Sequence, residues 1–203
     1  MPNGFLVIIS GPSGSGKSTI CRKLRQRDSS LKYSISCSTR KRRPSETNGT
    51  HYRFTTVPDF RKKIRAGEFL EWAEVHDNLY GTPKRFIEGE IRRGGVVLLD
   101  IDIVGAEIIR RKIPDAVTIF LLPPTWESLK ERLHLRKDTC DTMQTRLRNA
   151  RKELRHTKHY TYWVINDSLS TAVKQIEAIV LAERLRADRH TLKGTRLASL
   201  IRG

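Results

Sequence analysis

A glycine-rich stretch near the start of the chain reads Gly11-Pro12-Ser13-Gly14-Ser15-Gly16-Lys17-Ser18. It matches the pattern G-x-x-x-x-G-K-[ST] at every constrained position, with the apolar run Phe5–Ser10 before it and a helical pattern over Lys17–Gln26 after it. Glycines let the backbone wrap closely around phosphate oxygens, and the amides at the start of the helix point at the anion. This strand–loop–helix unit predicts a nucleotide phosphate site and decides the fold.

The polar side chains at this site predict its chemistry. Lys17 supplies a cation to the β- and γ-phosphates of a nucleoside triphosphate, Ser18 offers its hydroxyl to Mg²⁺, and Thr19 adds a phosphate contact. Asp100 ends a later apolar run, where a carboxylate holds Mg²⁺ through the water shell of the ion. Helix capping is the alternative role for such an aspartate, and the sequence favours that role for Asp102.

Buried apolar runs alternate with helical patterns along most of the chain, which predicts an α/β protein with a parallel central sheet covered on both faces, the three-layer fold of P-loop NTPases. Residues 33–82 break the alternation and predict an inserted subdomain, while the basic helical segment 125–155 predicts a mobile lid. We expect one domain over 4–187, with its core in 4–32, 83–124 and 156–187, and a basic tail over 188–203.

One strand and one helix of this predicted fold have defined bounds. Alternating residues predict one continuous strand over Lys32–Cys37. A long helix is predicted over Ser170–Arg189, with Ser170 as its N-cap.

The bulk composition narrows the class of protein. The chain has 203 residues and a formal net charge of +17, and no apolar run approaches the roughly 18–20 residues of a membrane span. Cys21, Cys37 and Cys140 lack metal-ligand spacing and predict free thiols in a reducing compartment, so we expect a cytoplasmic protein. The positive charge admits nucleic-acid binding, but no zinc spacing or RNA-recognition signature supports it. A site for several phosphates with a solvated basic surface is favoured instead.

The segment between the first two apolar runs indicates the acceptor of the phosphoryl group. Arg40 and Arg43 lie in a polar loop and can bind a phosphate by forked hydrogen bonds. Glu71 is a carboxylate in the otherwise apolar run Phe69–Val75. A carboxylate accepts in parallel from the ring N–H and the exocyclic amino group of guanine, a pattern that adenine lacks. An exposed strand position is the alternative reading of Glu71, which the residue pattern leaves open.

Several motifs in register extend this pattern beyond the glycine-rich loop. They are Gly11–Thr19, Ser36–Arg40 with Arg43, Asn48-Gly49 and Tyr52, Glu68–Ala73, Asn78–Thr82, Leu99–Asp102 and Val164–Asp167. Together, from about residue 4 to 187, they resemble the guanylate kinase family. The resemblance implies ATP-dependent phosphorylation of GMP, and of dGMP, to the diphosphate in purine nucleotide metabolism and GMP recycling. It implies Mg²⁺ as cofactor and ATP and GMP as partners, without membrane attachment, and no motif specifies an oligomeric state.

The resemblance also implies a role for each matching residue. The GMP phosphate is assigned to Ser36, Arg40, Arg43, Tyr52 and Tyr80. The guanine is assigned to Glu71, Thr82 and Asp102, with Ser36 nearby. Glu46 would order the acceptor loop, and Asn166 would lie near the adenine of ATP. The lid arginines that close over the transferred phosphoryl group would be Arg132, Arg136 and Arg146.

The lid departs from the family pattern at its tip. The chain reads Leu135-Arg136-Lys137-Asp138 where the family has Gly-Arg-Gly. Taken without the resemblance, Arg132 and Arg136 are four residues apart, a spacing that is more typical of a solvated helix face. Three other functions compete with the predicted kinase: a P-loop kinase for a phosphorylated sugar, a non-catalytic module that binds phosphorylated protein segments, and a nucleic-acid binder. Glu71 and the run Leu99–Asp102 argue against the sugar kinase, the intact Gly16-Lys17-Ser18 argues against the non-catalytic module, and the lack of zinc spacing or an RNA-recognition signature argues against the nucleic-acid binder.

Overall fold

The structure is a computed structural model that describes residues 3–75, 77–135 and 142–190. Within these ranges the strands are β1 (Phe5–Ser10), β2 (Lys32–Tyr33), β3 (Cys37–Ser38), β4 (Arg53–Phe54), β5 (Phe69–Val75), β6 (Asn78–Pro83), β7 (Val96–Asp100), β8 (Val117–Leu122) and β9 (Tyr162–Ile165). The α-helices there are α1 (Lys17–Arg27), α2 (Val57–Arg65), α3 (Lys84–Arg92), α4 (Ile103–Lys112), α5 (Trp126–Leu135), α6 (Met143–Leu154) and α7 (Leu169–Leu185).

The central sheet is parallel and has the strand order β2-β7-β1-β8-β9. Strand β1 is buried at every position because helices cover both faces of the sheet. Leu24 of α1 and Ile176 of α7 pack on one face, and Ile87 of α3 and Ile109 of α4 pack on the other. The predicted α/β fold with three layers is therefore confirmed.

A second sheet has the strand order β4-β3-β6-β5, and its strands lie between α1 and α3 in the sequence. Strands β5 and β6 form its antiparallel hairpin, in which Glu71 lies opposite Thr82. Helix α2 covers this sheet through Phe60, which is fully buried and stacks on Phe69 with ring centroids 4.6 Å apart. The sheet and α2 form the scaffold of the predicted acceptor site.

Two element predictions were wrong in detail. The predicted strand over Lys32–Cys37 is split, because β2 belongs to the central sheet and β3 to the second sheet. The C-terminal helix begins at Leu169, with Ser168 rather than Ser170 at its N-cap position, and ends at Leu185. A change of sheet is a tertiary event that local alternation does not record.

The described part of the predicted tail is anchored to the core. Arg189 is 2% exposed and donates to Asp115 Oδ2 at 2.7 Å and to Glu183 Oε2 at 2.9 Å. Its guanidinium also lies 4.3 Å from the centroid of the Phe5 ring. Residues 191–203 lie outside the described residues, as does Cys140; Cys21 and Cys37 are buried free thiols. Among the described helices, none is long and apolar enough to cross a membrane.

Candidate active site

The glycine-rich loop connects the carboxyl end of β1 to the start of α1. In the central sheet, β1 lies between β7 and β8. Gly14 and Gly16 have φ angles of 86° and 98°, in the left-handed region that favours glycine. A side chain at Gly16 would also collide with the amide of Asn166. The backbone path of the loop therefore depends on these glycines.

Lys17 lies over the loop that contains it. Its ammonium group donates to the carbonyl oxygens of Gly11 at 2.7 Å and Pro12 at 3.2 Å. These two bonds hold the cation beside the loop amides, where a phosphate oxygen can take over the interaction.

The two residues predicted for the metal are in direct contact. The hydroxyl of Ser18 donates to Asp100 Oδ2 at 2.5 Å, because α1 begins beside the end of β7. Hydroxyl and carboxylate oxygens are the ligands that Mg²⁺ prefers, and the pair stands next to the phosphate loop. The residues present therefore fit this ion.

The acceptor loop is organised around one carboxylate. Glu46 accepts from both terminal nitrogens of Arg40, at 3.0 and 2.8 Å, and from the backbone amide of Arg43 at 2.9 Å. Burial alone would raise the pKa of Glu46, but these hydrogen bonds outweigh burial and lower its pKa below the ordinary value. Glu46 is therefore ionised and joins the Arg40 side chain to the Arg43 backbone; the ordering of the acceptor loop that the resemblance implies for Glu46 remains a prediction.

Aromatic rings surround the first arginine of this loop. The Arg40 guanidinium lies 5.3 Å from the centroid of the Tyr52 ring, and the rings of Tyr52 and Tyr80 are 5.9 Å apart. Burial is the main cause that raises the pKa of Tyr52, so its hydroxyl remains a hydrogen-bond donor. Arg53, next to Tyr52, donates through its amide to the carbonyl of Ser36 at 2.9 Å. The structure thus groups the residues predicted for the GMP phosphate on one subdomain.

The carboxylate predicted for guanine is buried on the β5–β6 hairpin. Glu71 is 4% exposed, which excludes the alternative of an exposed strand position. Thr82, fully buried and opposite on the ladder, donates its hydroxyl to Glu71 Oε1. Burial and the nearby Asp102 raise the pKa of Glu71 to about 7, against the lowering effect of Thr82 and Lys112. The hydrogen bond from Thr82 therefore fixes the position of the Glu71 carboxylate, but its negative charge is only partly stabilised.

Asp102 caps α4 in this structure. Its Oδ1 accepts from the amides of Val104 at 2.7 Å and Gly105 at 3.0 Å. This is the capping role that the sequence favoured for Asp102 on its residues alone. The guanine contact that the resemblance assigns to Asp102 remains a prediction.

Helix α5 of the predicted lid packs directly on the phosphate loop. Leu129 and Leu133 of α5 lie against Gly14, where an added side-chain carbon would meet them at 3.2 and 3.3 Å. Arg132 donates to the backbone oxygen of Asn166 at 3.0 Å, so its guanidinium is directed to the protein and not to solvent alone. Arg146, on α6, is 9% exposed. Arg136 lies outside the described residues.

Two contacts near the site were missed by the sequence reasoning. The side-chain amide of Asn166 donates to the carbonyl of Ser15 at 2.7 Å, so it fixes the loop itself. Lys112 donates to the carbonyl of Leu70, next to Glu71, at 2.6 Å. No sequence signal distinguishes Lys112 from Arg110 and Arg111 beside it, because all three read as the basic last turn of a helix.

Comparisons with known proteins identify the family of this chain. A family model described as guanylate kinase matches residues 4–183. Guanylate kinase of Symbiobacterium thermophilum is 42% identical over 190 residues, which cover 93% of this chain and 90% of the relative. Guanylate kinase of Rhizobium etli is 47% identical over 188 residues, covering 92% and 86%.

A solved structure extends the likeness to three dimensions. The crystal structure of guanylate kinase from Anaplasma phagocytophilum has a TM-score of 0.80 to this chain at 30% identity, covering 93% of this chain and 90% of its own. The resemblance predicted from the motifs is therefore confirmed, and this chain belongs to the guanylate kinase family.

Proposed function

We propose that this chain transfers the γ-phosphoryl group of ATP to a phosphate oxygen of GMP or dGMP, giving ADP and the corresponding diphosphate. The observation that carries the proposal is the buried pair of Glu71 and Thr82 in a chain whose phosphate loop is complete. Two acceptors in the plane of a carboxylate match the two adjacent donors on the guanine edge, which no other common nucleobase presents in the same way.

The chemistry requires positioning more than proton transfer. A phosphate oxygen of GMP forms the new bond to the γ-phosphorus, and the bond from that phosphorus to the β–γ bridging oxygen breaks as ADP leaves. The attacking oxygen is already anionic, so no strong general base is needed. Ser18 and Asp100 would hold the Mg²⁺ that accompanies ATP, and the ion would neutralise charge on its phosphates.

Cationic side chains complete the proposed site from both sides. Lys17 would exchange its two carbonyl acceptors for phosphate oxygens of ATP. Arg40 and Arg43, held by Glu46, would bind the GMP phosphate, and Arg132 would approach from the lid. Closure of the lid and of the acceptor subdomain would exclude water, which otherwise accepts the phosphoryl group.

We place this activity in the cytoplasm, with ATP and GMP as the partners. Cys21 and Cys37 are both buried free thiols, as expected in a reducing compartment. The net charge of +17 is assigned to the phosphate site and a basic surface, not to nucleic acid.

An acceptor panel tests the proposed function. With ATP and Mg²⁺, a coupled assay for ADP should give rapid turnover with GMP and dGMP and slow turnover with AMP and UMP. Lys17→Ala should lower kcat/KM by about a thousandfold, because the cation that stabilises the transferred charge is lost. Equal rates with GMP, AMP and UMP would refute a guanine-specific kinase, and an active Lys17→Ala protein would refute catalysis at this loop.

A further inference from the structure

A glycine in the first turn of α4 stands against the Glu71 carboxylate. Gly105 is a buried residue of α4. Within helices, glycine is among the least favourable residues and alanine is the most favourable. A side-chain carbon added at Gly105 would lie 3.1 Å from Glu71 Oε2 and 3.2 Å from Glu71 Cδ. Ordinary carbon–carbon contacts lie at about 3.5–4.0 Å, so a methyl group at this position requires the carboxylate to move by a few tenths of an ångström.

The carboxylate has little freedom to move away. Glu71 is 4% exposed, its main chain is paired with Thr82 across the hairpin, and its Oε1 accepts from the Thr82 hydroxyl. Any shift of Glu71 away from α4 changes the position of both carboxylate oxygens together.

Helix α4 is equally fixed. Asp102 caps its first turn through the amides of Val104 and Gly105. At the other end, the Lys112 ammonium binds the carbonyl of Leu70 on β5 at 2.6 Å, and Ile109 is fully buried against the central sheet. Because the helix is held at both ends, a methyl group at Gly105 would displace the carboxylate and not the helix.

We propose that Gly105 is a positioning residue for guanine recognition, whose missing side chain leaves the space in which the Glu71 carboxylate is presented to the base. The proposal rests on the proposed function, since it deepens the acceptor specificity of the same site. Gly105 needs no contact with GMP for this role. It acts by permitting helix α4 and strand β5 to approach closely at the carboxylate.

The first experiment compares two glycine substitutions in helices. Gly105→Ala should raise the KM for GMP about tenfold or more, the cost of misplacing a charged hydrogen-bond acceptor, and leave the KM for ATP unchanged. The ratio of kcat/KM for GMP to kcat/KM for IMP, which lacks the exocyclic amino group, should fall. Gly89→Ala in α3 is the matched control, because its added carbon would meet only the flexible Arg93 side chain at 3.5 and 3.9 Å. It should leave both KM values unchanged.

A double-mutant cycle separates positioning from a general structural effect. In a Glu71→Ala background the crowded carboxylate is gone, so Gly105→Ala should raise the KM for GMP no further. Thermal unfolding should show a lower Tm for Gly105→Ala alone and an equal or higher Tm when it is added to Glu71→Ala, since alanine favours the helix. If Gly105→Ala alone does not fold, recovery of folding in the double variant supports the proposal, and failure to recover overturns it.

The outcomes also separate this inference from the proposed function. A native protein that does not prefer GMP over AMP and UMP refutes the proposed function. If the native protein prefers GMP but Gly105→Ala keeps the native KM for GMP, or raises both KM values equally, only the positioning role is overturned. Additive losses in the double-mutant cycle overturn it as well.

Discussion

The predicted acceptor subdomain contains two buried glutamates that differ in the partners of their carboxylates. In the loop, Glu46 meets a bidentate arginine, and its pKa is lowered. On the hairpin, Glu71 meets the neutral hydroxyl of Thr82, while the nearby ammonium of Lys112 is directed to a backbone carbonyl; its pKa is raised to about 7. The charge of Glu46 is stabilised within the fold by Arg40 and by the backbone amide of Arg43. The charge of Glu71 is left incompletely stabilised, which suits its proposed role as the acceptor for the two guanine donors.

Among changes at the two glutamates, the largest expected effect comes from removing the charge of Glu71. Glu71→Gln keeps the size of the side chain but replaces one acceptor with an amino group that opposes the guanine donors. The KM for GMP should rise about 100-fold while the KM for ATP stays the same. Steady-state kinetics with each substrate varied in turn checks this. A parallel loss for both substrates would remove the distinction drawn between the two glutamates.

Glu46→Gln should act on structure first. The change removes the ionic partner of Arg40 and weakens the bond from the Arg43 amide, in a pair that is largely buried. We expect a loss of about 1–3 kcal/mol in the free energy of unfolding and a rise of about tenfold in the KM for GMP. Urea unfolding measures the first and kinetics the second. Glu71→Gln should by contrast keep or raise stability above pH 7. Equal stability losses in the two variants would contradict the assignment of scaffold and ligand roles.

The contrast also shows which parts of the site the sequence could predict. Strand β1, the loop and α1 were predicted because the motif is local: the strand, the loop and the helix follow one another directly in the chain. Glu71 was found as a carboxylate in an apolar run, but its burial depends on α4 and β6. Strand β6 itself was missed, since Asn78, Gly81 and Pro83 oppose strand propensity and the strand is held by its ladders with β5 and β3.

A milder way to change the same carboxylate is pH. A pKa of about 7 means that Glu71 is half protonated near neutrality, and a protonated carboxyl presents one acceptor fewer to guanine. Lowering the pH from 7.5 to 6.5 reduces the ionised fraction about threefold, so the KM for GMP should rise about threefold. Glu71→Gln is the control, because any dependence that it retains comes from the GMP phosphate, whose second pKa is near 6. A KM that stays flat over this range in the native protein would contradict the pKa.

The smallest effect is on stability, and its sign is opposite to the effect on binding. The pKa of Glu71 is raised from its unfolded value of 4.5, so between about pH 4.5 and 7 the folded state binds more protons than the unfolded state. The contribution of Glu71 to stability is therefore fully present below pH 4.5 and is lost as pH rises through 7. Tm measured in this window should fall with rising pH more steeply for the native protein than for Glu71→Gln. Saturating GMP should reduce the difference, because bound guanine stabilises the ionised carboxylate and lowers its pKa. Identical slopes in the two proteins would mean that folding does not raise the pKa of Glu71. The two glutamates would then differ only in where they lie.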